Sequence, residues 1–135
     1  KIKGVNAITD VTGFGLLGHL TEMAEGSGLT ASISYEKIPF VEGLAEYVAQ
    51  KIAPDATSRN WSSYGQKIKF EKGVNVMEAF TVLPDPQTNG GLLISVSPDS
   101  LKEVQEVLAS LGLQQFTQPI GSMTAKGEKA VVVLP

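Results

Sequence analysis

The chain has 135 residues and a mass of 14.3 kDa, which suits one domain and is too little for two independent cores. Eleven basic against 14 acidic side chains leave a net charge of −3, which excludes a generally basic nucleic-acid binder. The absence of cysteine excludes disulfides, thiol catalysis and thiolate metal sites, and the single histidine, His19, excludes a two-histidine metal centre. Any metal must therefore be held by oxygen ligands, which suit Mg²⁺, Ca²⁺ or K⁺. No apolar run approaches the ~18 residues needed to span a bilayer. With no signal peptide either, a cytoplasmic protein without membrane or nucleic-acid partners is expected. Residues 1–135 read as a single domain. The chain opens on Lys1 rather than methionine and reads as structured at once, so a piece of a longer protein is expected, with part of the parent upstream.

Residues 2–8 fit a strand or the tail of a helix. Leu16, Leu17, Leu20, Met23 and Ala24 share one helix face, and Gly26 and Gly28 supply its stop. Residues 30–35 alternate Ala31, Ile33 and Tyr35 with Thr30, Ser32 and Ser34, the mark of a half-buried strand. After Pro39, the residues Leu44, Ala45, Val48, Ala49 and Ile52 predict a second amphipathic helix, ended by Pro54. Residues 56–70 mix a short helix with loop, and residues 76–82 predict one or two helical turns. Residues 91–96 read as a buried strand. A helix then opens at Pro98 with Ser97 as N-cap, carries Leu101, Val104, Val107, Leu108 and Leu111 on its apolar face, and closes at Gly112. Residues 116–123 and 130–134 predict two last strands, joined across the Lys126–Gly127 turn. Helices and strands mix without regular alternation, which predicts an α+β layered sandwich rather than a doubly wound parallel sheet.

The richest chemistry lies in residues 9–19. Asp10 and the hydroxyls of Thr9 and Thr12 lead through Gly13 and Gly15 into a helix start. Free N–H groups at a helix start attract anions, and glycines let a phosphate approach. Asp10 beside such a phosphate can hold Mg²⁺, which takes one or two carboxylates with phosphate oxygens and water. The plainer reading makes Thr12 an N-cap, Asp10 a partner of the helix dipole and the glycines aids to close packing. Gly13, Gly15 and Gly18 also spell G-x-G-x-x-G, with Glu36 near the distance of a ribose-binding acid. Against a dinucleotide fold stand the polar residues before the first glycine and the lack of repeated strand–helix–strand units.

A second stretch, residues 83–94, runs through Pro84, Asp85, Pro86, Gln87, Thr88, Asn89, Gly90 and Gly91 into an apolar strand. A hairpin turn explains Asn89–Gly90 but not the cluster of Asp85, Gln87 and Thr88, and the backbone amides there can form an anion nest. In the third stretch, residues 57–65, Arg59 is a candidate phosphate ligand, while Trp61 and Tyr64 fit a core face. His19 reads as a packing or capping histidine, since no nucleophile accompanies it.

Residues 7–19 closely resemble the signature of the selenide, water dikinase (selenophosphate synthetase) family, a member of the aminoimidazole ribonucleotide synthetase superfamily. Arg59–Asn60–Trp61 and residues 85–93 resemble two further motifs of that family, in the same order; Asn89 stands where members often carry serine. The resemblance implies most of the C-terminal domain of a two-domain enzyme, an α/β sandwich with helix layers on a mixed sheet. It implies an enzyme that makes selenophosphate from ATP, selenide and water, releasing AMP and phosphate. The ATP-binding N-terminal domain, with its mobile glycine-rich loop and catalytic lysine and cysteine or selenocysteine, would be the missing partner. The full-length protein is then expected to be a homodimer and the isolated chain to lack turnover, with no catalytic residue of its own. Asp10 matches the aspartate that ligates Mg²⁺ between the ATP phosphates. Thr12, Gly13, Asn60, Thr88, Asn89, Gly90 and Gly91 are the corresponding candidates for the phosphate and substrate cleft, and K⁺ is a second candidate cation. A thiamine-phosphate kinase or hydrogenase-maturation enzyme of the same superfamily, and a non-catalytic module, are the alternatives.

Overall fold

The computed structural model describes residues 2–135. Strand β1 (Val5–Asp10) resolves the ambiguity at the N-terminus in favour of a strand. Helix α1 (Gly15–Ser27) follows, then strand β2 (Leu29–Ser34). Next come helices α2 (Leu44–Ala49) and α3 (Asp55–Tyr64), strand β3 (Ile68–Phe70) and helix α4 (Val76–Val82). Strand β4 (Leu92–Val96), helix α5 (Leu101–Ser110) and strands β5 (Gly121–Ala125) and β6 (Val131–Leu134) complete the chain. Two sheets form. One is the antiparallel pair β1–β4; the other has four strands in the order β3-β6-β2-β5. In the second, β2 pairs with β5 antiparallel and with β6 parallel, and β3 pairs with β6 parallel, so the sheet is mixed. The fold is α+β, with helices layered on a mixed sheet, as the sequence predicts.

The core lies where α1 crosses the four-stranded sheet. Leu17, Leu20 and Ala24 of α1 meet Ala31 and Ile33 of β2, Val131 and Val133 of β6 and Ile68 of β3, all buried. The register sets Ala31 beside Val131 beside Ile68, and Ile33 beside Val133, so small and branched side chains form rows under the helix. The predicted stop of α1 is real: Gly28 takes φ +66 and donates its N–H to the carbonyls of Ala24 and Glu25. Trp61 of α3 stacks on Phe70 with ring centroids 5.7 Å apart and meets Phe80 edge-on at 5.3 Å.

Five expectations need correction. Residues 56–70 contain α3, longer than expected, and the short strand β3, which the parallel partner β6 induces. The second amphipathic helix is shorter than its pattern, with the chain turning at Lys51 (φ 58°) just past its end, and none of its residues is buried. The strand in residues 91–96 is buried on one face only: Leu93 is covered while Leu92 is 67% exposed, since β4 pairs only with β1. Ser97 stands before a short 3-10 turn but does not cap it with its hydroxyl, which instead accepts a hydrogen bond from Asn6 Nδ2 at 3.1 Å. The strand expected over 116–123 is displaced to β5, and β5 and β6 do not pair with each other. They flank β2, and the connection between them is tied down by buried Thr30. Its Oγ1 accepts from the Gly127 N–H at 2.8 Å and donates to the Lys129 carbonyl at 2.8 Å.

Candidate functional site

Asp10 is the last residue of β1. Alternation along the strand turns Asn6, Ile8 and Asp10 to its exposed face. The ladder does not stop there. Val11, buried, donates its N–H to the Gly91 carbonyl at 2.9 Å and accepts from the Gly90 N–H at 2.8 Å. The Thr12 carbonyl accepts from the Gln87 N–H at 3.1 Å. Residues 87–91 therefore run antiparallel to residues 11–12 and extend the β1–β4 pairing. The two motif loops, far apart in sequence, meet at one end of the two-stranded sheet. Asp10, Thr12, Gly13, Thr88, Asn89, Gly90 and Gly91 are brought together there, and all but half-buried Thr12 are exposed. The loop joins α4 to β4, so it is not the hairpin turn that Asn89–Gly90 predicts on its own.

Three buried side chains fix these loops: Asn60 joins one to the other, and Tyr64 and His19 anchor the first. Asn60 of α3 donates both protons of its Nδ2, one to the Gly13 carbonyl at 2.8 Å and one to the Pro84 carbonyl at 2.9 Å. It therefore ties one loop to the other, with its amide nitrogen fully engaged. Tyr64, one turn further along α3, donates its hydroxyl to the Phe14 carbonyl at 2.6 Å. Burial pushes this phenol well above its ordinary value, so it stays a neutral donor. His19 of α1 accepts the Thr12 N–H at Nε2, 3.1 Å away. A neutral ring in that role carries its proton on Nδ1, which is buried without a hydrogen-bond partner, 3.4 Å from Glu22 Oε2. The capping reading of His19 fits this geometry. Arg59 sits exposed on α3.

The glycines act mainly through packing. Gly15 has φ +69, and a Cβ there would lie 2.6 Å from the Pro84 backbone. A Cβ on Gly18 would meet Phe14 at 2.6 Å and the Tyr64 ring at 3.0 Å. The second and third glycines of the G-x-G-x-x-G pattern thus serve close packing. β1 and β2 also lie in different sheets, which removes the strand–helix–strand unit of a dinucleotide fold. Two early amides of α1 already have partners: Gly15 N–H bonds the Thr12 carbonyl and Leu17 N–H bonds the Leu83 carbonyl. Less of the helix start is therefore free for an anion than the sequence implies. Of the three pattern glycines, only Gly13 has open space where a Cβ would stand.

Asp85 explains part of the second motif. Its carboxylate accepts from Gln87 Nε2 and, at 3.5 Å, from Thr57 Oγ1. Burial raises its pKa above the usual carboxylate value, and the two hydrogen bonds pull the other way. The roles of Thr57, Tyr64 and Val11 have no signal in the sequence, because each depends on a partner far along the chain.

Asp10 is the one carboxylate among the residues gathered at this end, and no group of three His, Cys, Asp or Glu exists among the described residues. One exposed hard-oxygen ligand fits a Mg²⁺ ion that also takes phosphate oxygens and water. It does not make an all-protein cage. Asp10 itself is exposed at the end of β1.

This fold and this pair of loops define a class. The family model for AIR synthase related protein, C-terminal domain, matches residues 1–134, and the chain belongs to that family. Among curated proteins it is 42% identical over 133 residues to the selenide, water dikinase of Haemophilus influenzae, covering 98% of this chain and 37% of that protein. It is 46% identical over 134 residues to the selenide, water dikinase of Pseudomonas putida, covering 99% of this chain and 37% of the relative. It is 48% identical over 123 residues to that of Photobacterium profundum, covering 91% and 34%. The chain thus spans little more than a third of the length of these relatives. No helix is long and apolar enough to cross a membrane among the described residues.

Proposed function

We propose that residues 1–135 form the C-terminal domain of a selenide, water dikinase and close one side of its Mg²⁺–ATP cleft. The full-length protein would convert ATP, selenide and water to selenophosphate, AMP and phosphate, in the cytoplasm and as a homodimer. The supporting observation is the convergence of Asp10 with the loop 87–91 at one end of the β1–β4 pair, in a chain 41–48% identical to proteins of that name. Asp10 supplies a hard oxygen ligand to Mg²⁺. The ion, when bound, neutralises phosphate charge and aligns the group to be transferred. Thr12 and Gly13 stand beside Asp10 as phosphate-side contacts, and Thr88, Asn89, Gly90 and Gly91 line the opposite side of the same opening. Asn60 contributes by holding both sides in place. K⁺ is a second candidate cation, without an assigned ligand. The isolated chain, with no nucleophile and one half of the cleft, does not turn over ATP.

Phosphorus NMR of products from the full-length protein, with and without selenide, tests this reading. Selenide-dependent selenophosphate with AMP and phosphate supports it; ATP consumed to ADP regardless of selenide points instead to a kinase or synthetase cousin of the superfamily. Asp10→Asn keeps size and removes charge at an exposed position, so it leaves the fold intact and raises the Mg²⁺ requirement of the reaction. An unchanged Mg²⁺ titration removes Asp10 from the metal role.

A further inference from the structure

Every backbone group of Thr12 is engaged. Its N–H goes to His19 Nε2 at 3.1 Å, and its carbonyl accepts from the Gly15 N–H at 2.9 Å and the Gln87 N–H at 3.1 Å. The hydroxyl is the one polar group left, and Oγ1 lies 3.2 Å from the same Nε2. A ring nitrogen that accepts the N–H offers its lone pair on that side. Were the hydroxyl proton turned away, two lone pairs would face each other across 3.2 Å. The proton therefore points at Nε2, which serves both donors of Thr12 in a three-centre bond.

The ring is fixed from behind. His19 is only 7% exposed, and Phe14 meets it edge-on with ring centroids 6.2 Å apart. Glu22 Oε2, 3.4 Å from Nδ1, favours the ring proton on that nitrogen, although Nδ1 makes no hydrogen bond. A buried N–H without an acceptor is destabilising, so stability alone does not account for a histidine at this position.

We infer that His19 is a positioning residue: it takes both protons of Thr12 and leaves that residue facing the opening as a hydrogen-bond acceptor only, so Thr12 holds a phosphate group through a water molecule and not directly. The water gives one proton to Thr12 Oγ1 and the other to a phosphate oxygen. A phosphate oxygen set directly against Oγ1 would meet lone pairs instead of a proton. The inference rests on the functional reading above, since it takes a polyphosphate as the ligand of this loop, and it refines the part given there to Thr12.

Nitrogen-15 NMR of the histidine-labelled full-length protein gives the tautomer, with His19 assigned by the signal that His19→Gln removes. A proton on Nδ1 and an accepting Nε2 are expected. A proton on Nε2 overturns the proposal, because that nitrogen then cannot accept from Thr12. Affinity is the second readout: the dissociation constant of the non-hydrolysable imido analogue of ATP with Mg²⁺, by calorimetry on the full-length protein. Thr12→Val keeps the shape and removes the oxygen, and weakens binding about fivefold, as for one lost water-mediated hydrogen bond. His19→Phe alone weakens it about three- to fivefold. With Thr12 already valine it adds less than about twofold, because it acts through that hydroxyl. His19→Gln, whose amide oxygen accepts the same protons, brings affinity back to within about twofold of the wild type. A histidine with a structural role only lowers the thermal midpoint and leaves affinity unchanged, or its effect multiplies in full with that of Thr12→Val; either result overturns the proposal. Selenide-dependent turnover on the same preparations separates the two readings. The expected affinity pattern without such turnover supports the positioning role and defeats the assigned reaction; turnover with independent effects at the two residues defeats the positioning role alone.

Discussion

Asn60→Ala is the most direct probe of how the two motif loops are held. The side chain is only 8% exposed, and its Nδ2 makes two bonds, 2.8 Å to the Gly13 carbonyl and 2.9 Å to the Pro84 carbonyl. Each such bond contributes about 1 kcal/mol net, and truncation also leaves two carbonyls short of a donor, which together give a loss of about 2–4 kcal/mol. Asn60→Asp is a sharper version. A carboxylate presents no donor and sets charge against two carbonyl oxygens, so at neutral pH it costs at least as much as alanine. Its deficit shrinks as acid protonates the side chain and restores one donor. Trp61, the neighbouring residue and the only tryptophan, is stacked on Phe70 and reports unfolding by its fluorescence in urea. An alanine variant within about 0.5 kcal/mol of the wild type refutes the tie between the loops.

Gly15→Ala places a Cβ 2.6 Å from the Pro84 backbone at φ +69 and costs about 2–5 kcal/mol, whereas Gly13→Ala, with open space around it, costs about 0.5 kcal/mol or less; urea titration of both variants checks the contrast. The raised pKa of Asp85 makes its ionisation a burden on the folded state. That contribution is favourable while the carboxyl is protonated and is lost as pH rises from the ordinary value of 3.8 through the raised one. Asp85→Asn, which cannot ionise, therefore gains on the wild type as pH climbs from below 3.8 towards neutrality, and urea midpoints that keep a constant gap across that range contradict the assignment. Thr30→Val keeps the shape and removes the hydroxyl that serves both Gly127 and Lys129, which costs about 1–3 kcal/mol in thermal or urea unfolding.

What the sequence discloses and what it hides divide along the distance to each element's partner. α1 and α5 are visible from their own spacing, and β2 from its alternation, because the pattern that buries a face sits within the element itself. β3 has three residues and exists only because β6 lies alongside it. The order of the four-stranded sheet is equally non-local: a turn at Lys126–Gly127 reads as a hairpin, and nothing nearby discloses that β2 enters between its arms. The site follows the same rule. Asp10 and the glycine loops stand out as residues suited to phosphate and metal, whatever surrounds them. Their cross-bonding through Val11, Gly90 and Gly91, and the tie from Asn60, belong to the folded chain and leave no local mark.

The position of β2 has a consequence for the order of synthesis. Both of its neighbours come from residues 121–134, with Thr30 paired to Thr124 across a separation of 94 residues. While a ribosome makes this stretch, β2 is present early, with both edges open and its apolar residues Ala31 and Ile33 facing α1. No earlier strand can close it. The central sheet is therefore assembled when the last strands emerge, a late event that pays its loop-closure entropy at one stroke. A nascent or nicked chain lacking those fourteen or so residues keeps the strand but loses the whole ladder on either side of it, and exposes a two-edged template for wrong pairing.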